Sequence, residues 1–163
     1  MAHITAEEAG GRNVVAFLDT IAWAEGTDNG RQPTKQNGYD VLVGGGLFAD
    51  LSKHPAKLVR LNSKLASTAA GRYQFLSRTW GNLQRQLRLP DFGPLSQDKA
   101  CIELIRGRRA LDSVKAGQFD KAVALCSKEW ASLPGAGYGQ HEQSLEKLRA
   151  VYQKAGGKVG GSA

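Results

Sequence analysis

The sequence predicts an α+β fold, mostly helical, with a small sheet inserted after the first helix. Three observations lead there. Apolar residues recur at three- and four-residue steps near the start and again through the second half of the chain, the signature of helices with one buried face. Between them, residues 26–70 are rich in Gly, Asn, Pro and Ser and carry no such stripe. Within that stretch Tyr39-Asp40-Val41-Leu42-Val43 is a short β-type run that ends at Gly44-Gly45-Gly46.

Taken in order, the first helix is expected over residues 6–25, weakened at Gly10-Gly11, with Val14, Leu18 and Ile21 on its buried stripe and Gly26 as its stop. Tyr39–Val43 is the better strand candidate and Val59-Arg60-Leu61 a second. Leu76, Trp80, Leu83 and Leu87 form a stripe ended by Pro90, with Arg78, Arg85 and Arg88 mostly off it. A further helix is expected after Pro94-Leu95-Ser96, carrying Cys101, Leu104 and Ile105. Leu111 to Ala116 is a short helix closed by Gly117, and Phe119, Ala122, Val123, Cys126 and Trp130 mark the next. Ser132-Leu133-Pro134-Gly135-Ala136-Gly137-Tyr138-Gly139 is a glycine-dense loop. The last helix carries Leu145, Leu148, Val151 and Tyr152, and residues 158–163 are expected as a frayed tail. With no internal repeat or linker, residues 1–163 are expected to form one domain, large enough to need no staples.

Composition narrows the function classes. Hydrophobic residues at 41% and charged ones at 23% fit an ordinary globular chain. The 22 Lys and Arg against 15 Asp and Glu leave +7, which favours an anionic partner (nucleic acid, an anionic membrane or an acidic wall polymer) and equally serves solubility. The residues at the start carry acid and no apolar core, so no signal peptide is expected, and no apolar run approaches membrane-spanning length. Synthesis as a soluble cytoplasmic protein follows as an expectation. His3, His54 and His141 stand apart and neither Cys101 nor Cys126 has a close second cysteine, so no metal site is expected. The two cysteines lie on apolar stripes, as buried thiols would, although a single bridge also fits.

Glu25 is the candidate for chemistry. It falls four residues beyond Ile21 on the apolar stripe, in the helix's last turn. Partial burial and the negative end of the helix dipole both disfavour the anion there, as a general acid working near neutral pH requires. From position alone it is also readable as a solvated residue or one paired with a cation. Three glycine-containing segments border well-patterned helices: Glu25–Gly30, Ala70–Gln74 and Leu133–Gln140. In the last, Tyr138 offers an aromatic face suited to a sugar ring, or a ring that packs on its own loop.

The order Ala22-Trp23-Ala24-Glu25-Gly26-Thr27-Asp28-Asn29-Gly30, Gly38-Tyr39-Asp40-Val41, Gly71-Arg72-Tyr73-Gln74 and Trp130-Ala131-Ser132-Leu133-Pro134-Gly135-Ala136-Gly137-Tyr138-Gly139 closely resembles the phage lambda-type endolysins, from about Val14 to Lys158. The resemblance implies a lysozyme-like fold related to the goose type and a peptidoglycan lytic transglycosylase with Glu25 as its catalytic residue. It also implies glycan strands as the partner, no cofactor, no nucleic acid, a monomer, and a holin-type pore through which the enzyme reaches periplasmic peptidoglycan. Gln74 and Tyr138 are the expected substrate contacts, with Tyr73 and Tyr39 behind them. Gly26 departs from the related bacterial transglycosylases, which commonly carry a serine after the glutamate.

An ordinary glycosidase needs a second carboxylate, roughly 5–5.5 Å away if retaining and roughly 6.5–9.5 Å if inverting. Asp28 and Asp40 are the nearest candidates by motif, yet Asp28 precedes Asn29-Gly30 as a turn residue does, and Asp40 is expected to point outward from its strand. A transglycosylase needs no such partner. The rival expectations are a hydrolytic lysozyme and a non-catalytic wall- or nucleic-acid-binding domain.

Overall fold

The computed structural model describes residues 1–135 and 143–160. Helices α1 (Ala6–Ala9) and α2 (Arg12–Glu25) open the fold, followed by strands β1 (Val59–Arg60) and β2 (Ala66–Ser67). Helices α3 (Ser77–Leu87), α4 (Pro94–Gly107), α5 (Leu111–Lys115), α6 (Phe119–Cys126) and α7 (Leu145–Lys154) complete it. Among the described residues the architecture is mostly helical with one two-stranded antiparallel sheet, in the order the sequence predicts.

The expected first helix is two. Gly10 takes a left-handed conformation (φ 99°), and both its N–H and that of Gly11 turn back to the carbonyl of Ala6, which ends α1. Helix α2 then restarts at Arg12 and runs through the centre of the domain core, packed on α1, α4, α5 and α7. Its predicted stripe, Val14, Leu18 and Ile21, is at most 1% exposed, and Val15, Ala16, Phe17 and Ala22 bury other faces of the same helix. Gly26 (φ 80°) closes it as a Schellman turn: its N–H reaches Trp23 O at 3.1 Å and the N–H of Thr27 reaches Ala22 O at 3.0 Å. Glu25 is thereby the last residue of the helix.

The sheet differs from expectation in position. Tyr39–Val43 is not a strand: Val41 and Leu42 make only isolated bridges, to Leu47 and Ala70. The cause lies in the preceding turn, where Asp40 is 3% exposed and caps the chain by accepting from the Thr34 hydroxyl and from the Lys35 N–H at 3.0 Å. Inward-facing Tyr39 and Asp40 are incompatible with period-2 alternation. Val59–Arg60 pairs instead with Ala66–Ser67.

The later helices follow their stripes with local shifts. Trp80 and Leu83 are buried on α3, whereas Leu76 is the residue before the helix and is 49% exposed. Pro94 is the first residue of α4, where its missing N–H costs nothing. Cys101 and Cys126 are free, buried thiols, and burial raises both above the usual thiol range. Residues 158–160 are exposed and run beside the loop before α6 and the start of α2: the N–H of Lys158 donates to Asn13 Oδ1 at 3.0 Å and that of Gly160 to Gly117 O at 3.1 Å. Residues 161–163 lie outside the described residues.

One glycine is fixed by sterics on two counts. Gly71 has φ +85°, and a Cβ there would meet Gln97 Oε1 and sit 2.8 Å from Phe92 Cζ. Gly71→Ala is expected to destabilise the fold by about 2–4 kcal/mol, read as a lowered midpoint in urea denaturation.

Candidate active site

The site is assembled from three segments distant in sequence: the end of α2 with its turn (25–28), the tight loop 70–75, and residues 130–133 beyond α6. The loop is closed by reciprocal hydrogen bonds between Ala70 and Phe75 (3.0 and 2.9 Å). Left-handed Gly71 and Gln74 (φ 55°) turn the chain inside it.

Arg72, at the loop's tip, is 1% exposed and is the cation on which the segments converge. Its Nη2 donates to Asp19 Oδ1 (2.9 Å) and Asp28 Oδ2 (3.0 Å), Nη1 to the Tyr73 hydroxyl (2.9 Å) and Nε to Asn37 O (3.1 Å). Its Cζ lies 5.4 and 5.5 Å from the ring centres of Tyr39 and Tyr73. The Thr27 hydroxyl donates to the carbonyl of Arg72, tying the turn after Glu25 to the loop. Trp130 Nε1 donates to Tyr73 O at 3.0 Å and ties the third segment to the same loop.

That third segment delivers Ser132. Its hydroxyl donates to Glu25 Oε2, and its main chain also hydrogen-bonds the carboxyl. Glu25 is half-buried. Burial pushes its pKa up to about 7, and the two Ser132 hydrogen bonds, which favour the anion, hold it from rising further. A carboxyl in this state is proton donor and proton acceptor within the same neutral pH range.

The other expected residues fall in different places. Tyr39 and Tyr73 are fully buried, so the expectation that they touch substrate is corrected: their hydroxyls both donate to Asp98 Oδ1, at 2.7 and 2.6 Å. Asp98 Oδ2 in turn accepts from the N–H groups of His3 and Ile4 at 2.9 and 2.8 Å. The phenols are needed to satisfy a fully buried carboxylate, and they present no surface. Gln74 is partly exposed, but its amide nitrogen is engaged by Val41 O (3.2 Å) and Gly71 O (2.9 Å). Tyr138 lies outside the described residues. Neither Asp28 nor Asp40 is an unengaged carboxylate: Asp28 faces Arg72, and Asp40, expected outward, is a buried turn cap. Ser132 was not singled out by sequence; it stands 107 residues from its partner and its only local signal was its place in the Trp130–Gly139 motif.

This arrangement has relatives. The endolysin family profile matches residues 15–159. The chain belongs to the endolysin family. The endolysin is 56% identical to the endolysin of Escherichia phage lambda over 144 residues, 88% of this chain and 91% of that one. It is 50% identical to the endolysin of Escherichia phage P2 over 157 residues, covering 90% and 94% of the two chains. Among solved structures it is similar to bacteriophage lambda lysozyme in complex with a chitohexasaccharide (TM-score 0.90, 52% identity, 98% of this chain and 99% of that one). It is also similar to a second structure of the lambda lysozyme (TM-score 0.86, 50% identity, the same coverage). The fold is thus lysozyme-like and the endolysin is an enzyme. Among the described residues, no helix is long and apolar enough to cross a membrane.

The raised pKa of Glu25 has a sign in stability. Folding holds its proton more tightly than the unfolded chain does, so the contribution is fully present below about 4.5 and is lost as pH rises through about 7. Glu25→Gln removes that loss. The variant is expected to exceed the parent in stability at pH 8 by on the order of 1–3 kcal/mol, and the gap to close by pH 4.5, as measured by thermal melts across pH.

Proposed function

We propose that the endolysin cleaves the β-1,4 bond after N-acetylmuramic acid in peptidoglycan, as a lytic transglycosylase that lyses the host cell. The observation that carries this is a half-buried Glu25 poised near pH 7, while Asp28 and Asp40, the carboxylates nearest by motif, are committed to structural pairs. The glycan oligomer bound to the similar lambda lysozyme supports a sugar chain as the ligand.

Protonated Glu25 delivers its proton to the leaving glycosidic oxygen as the C–O bond breaks. The muramic acid's own acetamido group stabilises the oxocarbenium-like centre, taking the place of a protein carboxylate. Glu25, now an anion, accepts the proton of the C6 hydroxyl as that oxygen bonds to C1, which gives a 1,6-anhydro sugar and consumes no water. Gln74 and Tyr138 are the proposed substrate contacts. The protein works as a monomer without a cofactor, made in the host cytoplasm and passed through a holin-type pore, and its +7 charge favours contact with an anionic wall.

Mass spectrometry of digested peptidoglycan tests the reaction. Anhydro-muropeptides are expected; reducing ends alone would make the enzyme a hydrolytic lysozyme. Glu25→Gln should retain the fold and lose roughly 100- to 10,000-fold in lytic rate, because an amide donates no acid proton. Asp28→Asn should lower stability through Arg72 and reduce turnover far less; an equal loss of turnover in the folded variant would restore a two-carboxylate mechanism.

A further inference from the structure

Position 26, directly after the glutamate, is glycine and carries no hydroxyl. The structure nevertheless brings a hydroxyl to the carboxyl, from Ser132. Ser132 is itself held on both sides: its carbonyl accepts from the N–H of Gln143 at 2.8 Å, and the N–H of Leu133, which is 1% exposed, donates to Trp130 O at 3.0 Å. Trp130 is 3% exposed and anchored to Tyr73 O. The hydroxyl therefore hangs from a peptide that is hydrogen-bonded on both sides.

A carboxylic acid that accepts a serine hydroxyl on one oxygen carries its own proton on the other. We infer that Ser132 is a positioning residue that occupies Oε2 of Glu25 throughout the cycle, so that Oε1 alone exchanges protons with the substrate. This rests on Glu25 acting as acid and then as base. In the first half-reaction the proton leaves Oε1 for the glycosidic oxygen, and in the second Oε1 receives the proton of the C6 hydroxyl; the Ser132 O–H bond neither forms nor breaks. As the anion forms, the hydrogen bond on Oε2 strengthens, because a donor to a charged acceptor is worth more than one to a neutral acid. Ser132 thereby eases departure of the proton at the step where the glycosidic bond breaks. The same preference sets how high in pH the acid remains protonated.

The test separates this from a merely structural serine by reading pH. In Ser132→Ala the alkaline limb of the pH profile of lytic kcat/KM should move upward by roughly one unit, the size of one hydrogen bond to a charged acceptor. The maximal rate should fall, though by less than in Glu25→Gln. Ser132→Thr, which keeps the hydroxyl, should keep the limb of the parent. A 13C titration of the Glu25 side-chain carboxyl in each folded variant reads the same shift without turnover, and Ser132→Gly serves where alanine fails to fold. An unchanged carboxyl titration in the folded variant lacking the hydroxyl would overturn the role given to Ser132. Retention of activity by Glu25→Gln would instead overturn the reading of Glu25 on which it rests.

Discussion

A buried guanidinium organises this molecule. Arg72 is removed from water, so its planar set of donors must be matched within the protein. Asp19 comes from the middle of α2, Asp28 from the turn beyond it, Asn37 from the loop that follows, and Tyr73 from its own neighbour. Leaving any of these unmade would strand a charge, which is why the arrangement specifies a register as much as it adds stability. The second layer extends from the phenols: Tyr73 and Tyr39 meet on Asp98, and Asp98 fixes the peptide groups of His3 and Ile4. The end of α2, the loop 70–75 and the first residues of the chain are positioned by one connected set of hydrogen bonds.

Glu25 stands at the edge of that set. Two opposing influences act on it, loss of solvent and the donors of Ser132, and burial is the larger. Had burial acted without Ser132, the acid would hold its proton too tightly to release it readily. Had the donors acted without burial, it would be an ordinary carboxylate, ionised at neutral pH and unable to act as an acid. A single side chain can serve both halves of a reaction only between these limits, and the structure supplies both influences from separate parts of the chain.

How much of this was legible in sequence depends on the distance over which each interaction acts. The α2 stripe and its glycine stop are local, and Val14, Leu18, Ile21 and Gly26 are where their spacing places them. The helices from α3 to α7 share that property. Tyr39–Val43 misleads because its strand-like composition reflects two residues turned inward, the phenol to distant Asp98 and the carboxylate to Thr34 and Lys35 of the turn just before it. Tyr73 misleads likewise, since an aromatic beside a polar motif has the same local appearance whether it faces a ligand or a buried carboxylate. Ser132 had no periodicity to betray it. Only the fold brings it to Glu25.

The joints of the site span long stretches of chain: Thr27 to Arg72 bridges 45 residues, Trp130 to Tyr73 57, and Ser132 to Glu25 107. Helix α2 can form from its own neighbours, but contacts at such separations form only as the whole chain collapses. Before then Glu25 is a solvated glutamate with an ordinary acidity. The raised pKa of Glu25 is therefore a property of the completed tertiary structure, and a chain still being synthesised has the glutamate without the burial that lets it keep its proton near neutral pH.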